Sequence, residues 1–422
     1  MGSRGAPGTN WAGTHRYQAR GIFRAETEDD VVGLVSSGRE VRALGTRHSF
    51  NDLADTTGLL VDVKGVAGRI EIDEDHQRVR VPAGMTYGAL SESLQSRGWA
   101  LHNLGSLPHI SVAGACATGT HGSGATNGSL ATAVSGLDLI AGRGRRVHVG
   151  EDDPRFAGVV VALGALGIVT SLTLRIEPTY EMRQRVFLAM PWSELADLDG
   201  VMRSAYSVSL FTRWRGVVDQ VWVKSKGVDE AQLSSTSFRG AAAATTSVSP
   251  TGDDPGHTTA QRGLPGPWNQ RLPHFHLDRV PSRGDEIQSE YFVAREAGPA
   301  VLGVLEEMSD VFGEHLIISE LRYVAADTLW LSPAHGRDSL AVHFTWMNHP
   351  LDVRRILALI EKELAPFAAR PHWGKWFVMD ATRIATMYER RLDFISLVNE
   401  FDPDRQFTNA YLDRVLYGEP GG

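Results

Sequence analysis

Cysteine is almost absent from this 422-residue chain: Cys116 stands alone, so no internal disulfide and no thiolate metal cluster can form, a pattern that suits a reducing compartment. Lysine is scarce as well. Lys64, Lys224, Lys226, Lys362 and Lys375 are the lysines, and arginine supplies the other cations. Neither sign of charge forms a long run, and 42 Lys+Arg against 50 Asp+Glu leave a net charge of −8, which argues against a nucleic-acid or anionic-membrane surface. No apolar run approaches the ~18 residues of a membrane span, and Met1 to Asn10 lacks the apolar core of a signal peptide. Motifs are missing too. No Gly-x-Gly-x-x-Gly opens a helix after the first strand, which disfavours a Rossmann nicotinamide site. The 15 histidines include no His-Glu-x-x-His spacing, so no metal is expected. Ser106 has no Gly-x-Ser-x-Gly elbow around it, so a serine hydrolase fits poorly. These absences leave a cytoplasmic protein with a small-molecule ligand, with neither nucleic acid nor membrane as partner, and a monomer as the default state.

What is present begins with a length that calls for two or three buried cores. A helix over 26–35 opened by Thr27 precedes a strand at 40–44. That strand runs into Gly45-Thr-Arg-His-Ser-Phe-Asn51, a polar loop whose backbone N–H groups, Arg47 and His48 suit an anionic ligand such as a phosphate-bearing cofactor. Strands at 58–63 and 78–81 and a helix at 86–97 follow. The block Gly105 to Gly124 is crowded with residues of small side chain, so a flat ligand can lie against the backbone itself; a flexible glycine loop is the alternative. Strands at 133–141, 146–149 and 167–176, with a helix near 154–163, complete an α+β first unit.

From about Tyr180 the pattern turns to long alternating strands, at 182–188, 207–213 and 217–223. An aperiodic tract, 234–262, reads as a mobile loop inside the second unit. Helices are expected at 299–312, 353–364 and 382–399. In the strand 315–324, alternation puts Leu316, Ile318, Glu320 and Arg322 on one face, ending in two opposite charges. A surface ion pair is the alternative to a pocket wall. The strand 340–347 sets Val342, Phe344 and Trp346 against Ala341, His343 and Thr345, so two strands carry polar faces that could line one wet cavity. Lys375 lies in Pro371-His-Trp-Gly-Lys-Trp-Phe377, where rings would desolvate the ammonium and move it toward a general base, or hold it by a cation–π contact.

Taken together, Gly45–Asn51, Ser106-Leu-Pro-His-Ile-Ser-Val-Ala-Gly114, Thr118-Gly-Thr-His-Gly-Ser-Gly124, Leu163-Gly-Ala-Leu-Gly-Ile-Val169, Glu320-Leu-Arg322, His343-Phe-Thr345, Pro371–Lys375 and Asp402-Pro-Asp resemble the vanillyl-alcohol oxidase type of FAD-linked oxidoreductases, and within it the alditol oxidases. The resemblance implies a two-domain α+β flavoprotein. Residues 1–180 would form the FAD-binding domain, 181–372 an inserted antiparallel-sheet substrate domain, and 373–422 a return to the FAD domain. It implies FAD attached covalently through His48, with Ala43, Leu44, Gly45, Thr46, Arg47 and Ser49 around the diphosphate and Ser106, Ser111, Gly114, Thr118, Gly119, Thr120, His121 and Val169 as further FAD contacts. The substrate positions it implies are Ser106, Glu320, Arg322, Thr345 and Lys375. The expected reaction is hydride transfer from C1 of a polyol such as xylitol or sorbitol, with O2 reduced to hydrogen peroxide. Lys375 serves as the expected base, Arg322 and Glu320 as polar partners, and His343 as the alternative base. Gly105 leaves room beside the flavin for oxygen. Where the superfamily commonly has Gly-x-Gly-His-Ser, this chain has Arg47, strained if that position needs positive φ. The rival readings are an aldonolactone oxidase or dehydrogenase of the same fold and a non-enzymatic carbohydrate-binding protein.

Overall fold

The computed structural model describes residues 4–66, 68–227, 236–277 and 285–418. Ser234 and Ser235 at the head of the aperiodic tract, the first three residues of the expected FAD domain and the last four of its expected C-terminal return lie outside the described residues.

Near the N-terminus, the Thr27 side chain accepts from the Asp30 N–H while the Asp30 carboxylate reaches back to the Thr27 N–H, a reciprocal cap that starts the helix Glu28–Ser36. Val31, Leu34 and Val35 bury one face of it. The helix crosses between Ile22–Arg24 and Val41–Ala43, both parallel to Leu59–Asp62. Ligands gather at the carboxyl ends of parallel strands, and the loop leaving Val41–Ala43 at that end carries His48. A second sheet is antiparallel, in the order Glu71–Asp73, Arg78–Pro82, Ile168–Arg175, Val134–Ala141, Arg145–Gly150. The helix expected at 154–163 is one turn, Phe156–Val159. Leu163 and Gly164 have φ of 54° and 70°, left-handed values that a continuing helix does not tolerate.

Among the described residues the third sheet has ten strands. Its central six run Glu181–Pro191, Val217–Lys226, Ser207–Thr212, Leu316–Val324, Ser339–Met347, Glu286–Ala294, each antiparallel to the next. Val342, Phe344 and Trp346 on one face join Val301 and Leu305 of the helix Gly298–Glu307 and Val353 and Ile360 of Pro350–Glu363 in the main core. Each such large apolar side chain contributes about 1.5–3 kcal/mol through burial. The opposite face is polar and looks into a cavity.

Four further expectations are corrected. The aperiodic tract is pinned rather than mobile: Ser237–Phe238 and Ala241–Ala243 add edge strands, while Gln184 Nε2 donates to the Thr259 carbonyl at 3.1 Å and Gln261 Nε2 to that of Val248 at 2.6 Å. Side-chain amides serve the backbone there, which leaves no hydrophobic period to read. Leu316 does not share the face of Glu320, because a bulge between Leu316 and Ile318 pairs Leu316 with Trp346 but Ile318 with Thr345, adding one residue and flipping the face. The expected helix at 299–312 breaks at Met308 into Gly298–Glu307 and Ser309–Phe312. That at 382–399 is two pieces, Ala381–Ala385 and Arg391–Phe401, where Tyr388 turns into the core between them.

The C-terminal segment packs on N-terminal elements. Asp402 accepts from the Gln406 and Phe407 N–H groups, both at 2.8 Å. Gln406 Nε2 donates to the Val35 carbonyl, and Asn409 Nδ2 to those of Leu53 and Asp55.

Candidate active site

One cavity runs from the loop 42–50 to the polar face of the large sheet. Its first half is backbone-lined. Ser111 N donates to Thr46 Oγ1 at 3.2 Å, which ties the His48 loop to the start of the helix Val112–Ala117. A Cβ on Gly45 or Gly114 would stand 2.8 or 2.7 Å from Ser111 Oγ, so a side chain at either place would push that hydroxyl aside. His48 Nδ1 is buried and makes no hydrogen bond. Burial pushes its pKa down to about 4, so the ring is neutral with a lone pair to offer. Trp11 stacks on it, with centroids 5.3 Å apart and planes 22° off parallel. Arg47 has φ 65°, the strained conformation its position threatened. Its guanidinium turns to the Pro7 and Thr9 carbonyls and the Tyr17 ring and away from the role of a phosphate cation.

The second half is built by sheet register. Glu320 pairs with His343 and His343 with Glu290, so three adjacent strands place three polar side chains in one row. Thr345 and Gln288 are paired one step along the same face. Arg322 Nη2 donates to Glu290 Oε1 at 2.5 Å. Lys375 Nζ lies 2.6 Å from Glu290 Oε2 and 2.8 Å from His343 Nδ1. The other ring nitrogen of His343 is 3.1 Å from Thr345 Oγ1, so both of its nitrogens are engaged. Burial alone would raise the Glu290 carboxyl, but Lys375 and Arg322 outweigh it and hold the group well below the usual range. Glu320, buried yet beside Arg322 and His274, is likewise held low. Burial lowers the Lys375 ammonium, against the pull of Glu290, and keeps His343 neutral, with Lys375 adding to the effect. The rings expected to surround Lys375 serve other partners: Trp373 Nε1 donates to the Leu331 carbonyl and Trp376 Nε1 to that of Phe50, both at 2.6 Å.

The structure therefore brings Ser106, Glu320, Arg322, His343, Thr345 and Lys375 to one cavity with Ala43 to Ser49, Ser111, Gly114, Thr118, Thr120, His121 and Val169. Gly119 is the exception among the expected cofactor contacts. It is absent from the wall and makes a turn at φ 67° against Pro333. Glu290 and Gln288 were missed by sequence reading, although Glu286, Gln288 and Glu290 alternate along their strand as clearly as the two polar faces that were recognised. His274, also on the wall, sits in a stretch without periodicity and gave no signal. Ligating atoms of His121, Glu290 and His372 lie within 4.8 Å of one another, but the charge of Glu290 is already matched by Arg322 and Lys375, and a metal cation there would be repelled.

Comparison with known proteins now adds to this geometry. Residues 19–150 match the model of an FAD binding domain, and 281–415 that of D-arabinono-1,4-lactone oxidase. An alditol oxidase of a Streptomyces species is 40% identical over 97% of this chain and 99% of its own length. The L-gulono-1,4-lactone dehydrogenase of Mycobacterium tuberculosis is 27% identical over 97% of this chain and 98% of its own. Among solved structures, cholesterol oxidase from B. sterolicum superposes with a TM-score of 0.78 at 15% identity, covering 99% of this chain and 97% of that one, which shows a shared fold.

Proposed function

The chain belongs to the flavoprotein oxidase family of the vanillyl-alcohol oxidase type, and from that premise we propose that it is an alditol oxidase whose FAD is bonded covalently to His48. The observation that carries the reading is the continuity of one cavity from the unpartnered His48 Nδ1 to the charged row Glu320, His343, Glu290 with Lys375. The residues fit the cofactor: glycines crowd Ser111 so that backbone lies open, and His48 offers a neutral ring nitrogen beside the loop that would hold the diphosphate. Bound FAD supplies a hydride acceptor and passes electrons to O2.

The chain's own residues do the rest. An open-chain polyol presents hydroxyls at regular spacing, and Ser106, Thr345, Glu320 and Arg322 supply donors and acceptors to match. A site with buried polar groups rejects analogues that leave them unpaired. Burial makes the Lys375 ammonium give up its proton more readily; in its neutral form the amine takes the proton of the C1 hydroxyl, and Glu290 steadies the ammonium that is restored. Arg322 stabilises negative charge on that oxygen. With the cofactor in place, C1 would become the carbonyl of the aldose and O2 would end as hydrogen peroxide, the C1 hydroxyl proton having gone to Lys375. His343 stands as the base only if Lys375 is dispensable.

The second reading, an aldonolactone oxidase, is favoured by the match over residues 281–415. Peroxide release with xylitol, sorbitol and L-gulono-1,4-lactone separates the two: the proposal expects higher kcat/KM for the alditols, and preference for the lactone overturns it. Yellow colour remaining in the acid-precipitated protein is expected from covalent attachment, and colour lost to the supernatant refutes it.

A further inference from the structure

Behind Glu320 lies a second buried lysine. Lys224 is 1% exposed, with Nζ 2.9 Å from His274 Nδ1 and also donating to the Leu272 carbonyl. His274 Nε2 is 2.9 Å from Glu320 Oε1. His274 packs against Trp222 and Phe211, with centroids 4.9 and 5.6 Å away, which shut it from water. The strand bearing Lys224 was expected to end at Val223 and runs on to Lys226, and this places Lys224 in the sheet.

We propose that Lys224 and His274 are positioning residues that hold the Glu320 carboxylate with one oxygen occupied and the other turned to the substrate. This rests on the alditol reading above. Each proton in the relay is fixed by its neighbour. An ionised Glu320 can only accept, so His274 carries its hydrogen on Nε2. A neutral ring then has a lone pair on Nδ1, and only a donor can face it, which is Lys224. Burial holds His274 neutral and Lys224 near the middle of the pH scale, at about 7, and either protonation state of the amine has an N–H for both contacts. Glu320 Oε1 is thereby occupied. Glu320 Oε2 lies 3.7 Å from Arg322 Nε, which is buried and has no hydrogen-bond partner. An acceptor and an unused donor side by side suit a single hydroxyl, which accepts from Arg322 and donates to Glu320. A polyol has such a hydroxyl beyond C1. The relay thus serves substrate binding and leaves proton removal to Lys375.

The test is a double-mutant cycle on the flavin-loaded enzyme with xylitol, using Lys224→Met, Glu320→Gln and the pair. Lys224→Met is expected to raise KM by about 10-fold or more, as for a lost charge-assisted contact, and to leave kcat within about 3-fold. Added to Glu320→Gln it should raise KM no further, because its effect runs through Glu320. Multiplying KM effects, or a fall in kcat with KM unmoved, overturns the proposal. If Lys224→Met does not fold, His274→Phe, which keeps the packing on Trp222 and Phe211, replaces it in the cycle. Failure of both to fold assigns the pair to folding and also overturns the proposal. Wild-type turnover is read first: absence of turnover with every alditol refutes the alditol reading itself, and the cycle is then run on L-gulono-1,4-lactone.

Discussion

Asn51 Nδ2 donates to the main-chain carbonyl of Lys375 at 2.8 Å, and to that of Trp373 at the same distance. One side chain in the His48 loop therefore grips the segment that delivers the proposed base. Phe50 N adds a bond to the Gly374 carbonyl at 2.7 Å. Replacing Asn51 by Ala leaves two carbonyls without their donor, a loss of about 1–3 kcal/mol. The expected outcome is a lower melting temperature together with slower flavin reduction. Unchanged reduction kinetics in the folded variant would show that Lys375 is placed without this grip.

Lys375→Met keeps the length of the side chain and removes the amine. Flavin reduction by xylitol in stopped flow is expected to slow by about 10²–10⁴-fold, the range for a general base. A rate near wild type sinks the assignment and passes the role to His343.

Trp11 stacks on His48, and its main-chain N–H donates to the Arg47 carbonyl at 2.8 Å. Trp11→Ala frees the imidazole to rotate. The fraction of flavin that stays with acid-precipitated protein should fall, while His48→Ala abolishes it. Full covalent loading in Trp11→Ala would show that the ring is oriented without the stack.

Gly105 lines the cavity, and a Cβ there would meet Ile110, Thr120 and His121 at 3.6–3.9 Å, ordinary contact that permits folding. Gly105→Ala is expected to lower turnover with O2 while preserving turnover with an artificial dye acceptor. Equal loss with both acceptors argues against an oxygen path at this point.

Acid should destabilise the protein. His274, and in flavin-free protein His48 as well, is pushed down by burial to about 4, against about 6.5 in an unfolded chain. Between those values the unfolded chain binds more protons than the folded one, so stability is full above about pH 6.5 and is lost as pH falls toward 4. Each histidine is worth a few kcal/mol, at about 1.4 kcal/mol per pH unit. A melting temperature that stays flat from about pH 7 to about pH 4.5 contradicts this.

Sequence periodicity made the polar faces of two strands readable, with Glu320, Arg322, His343 and Thr345 each aimed at the cavity. It did so because a half-buried strand must alternate. It failed where alternation is interrupted or unnecessary. One extra residue in the bulge put Leu316 on the core side, and His274 lies in a stretch without periodicity, where its ring is held by Lys224 and Glu320 side chains from distant strands. Glu290 was readable and overlooked, since its strand alternates like its neighbours. Strand order was not legible at all: Leu316–Val324 lies between Ser207–Thr212 and Ser339–Met347 through contacts that no local pattern encodes. Arg47 shows the reverse case. Its positive φ was anticipated from the missing glycine, yet the N-terminal carbonyls that occupy its guanidinium lie some forty positions away.

The bonds from Asn51 to Trp373 and Lys375 join positions 322 and 324 residues apart. During synthesis the His48 loop leaves the ribosome long before its partner segment exists. The loop must therefore wait, incompletely shaped, until nearly all of the chain has been made, so the flavin bond proposed for His48 would form only at the end of folding, after the two distant segments have met.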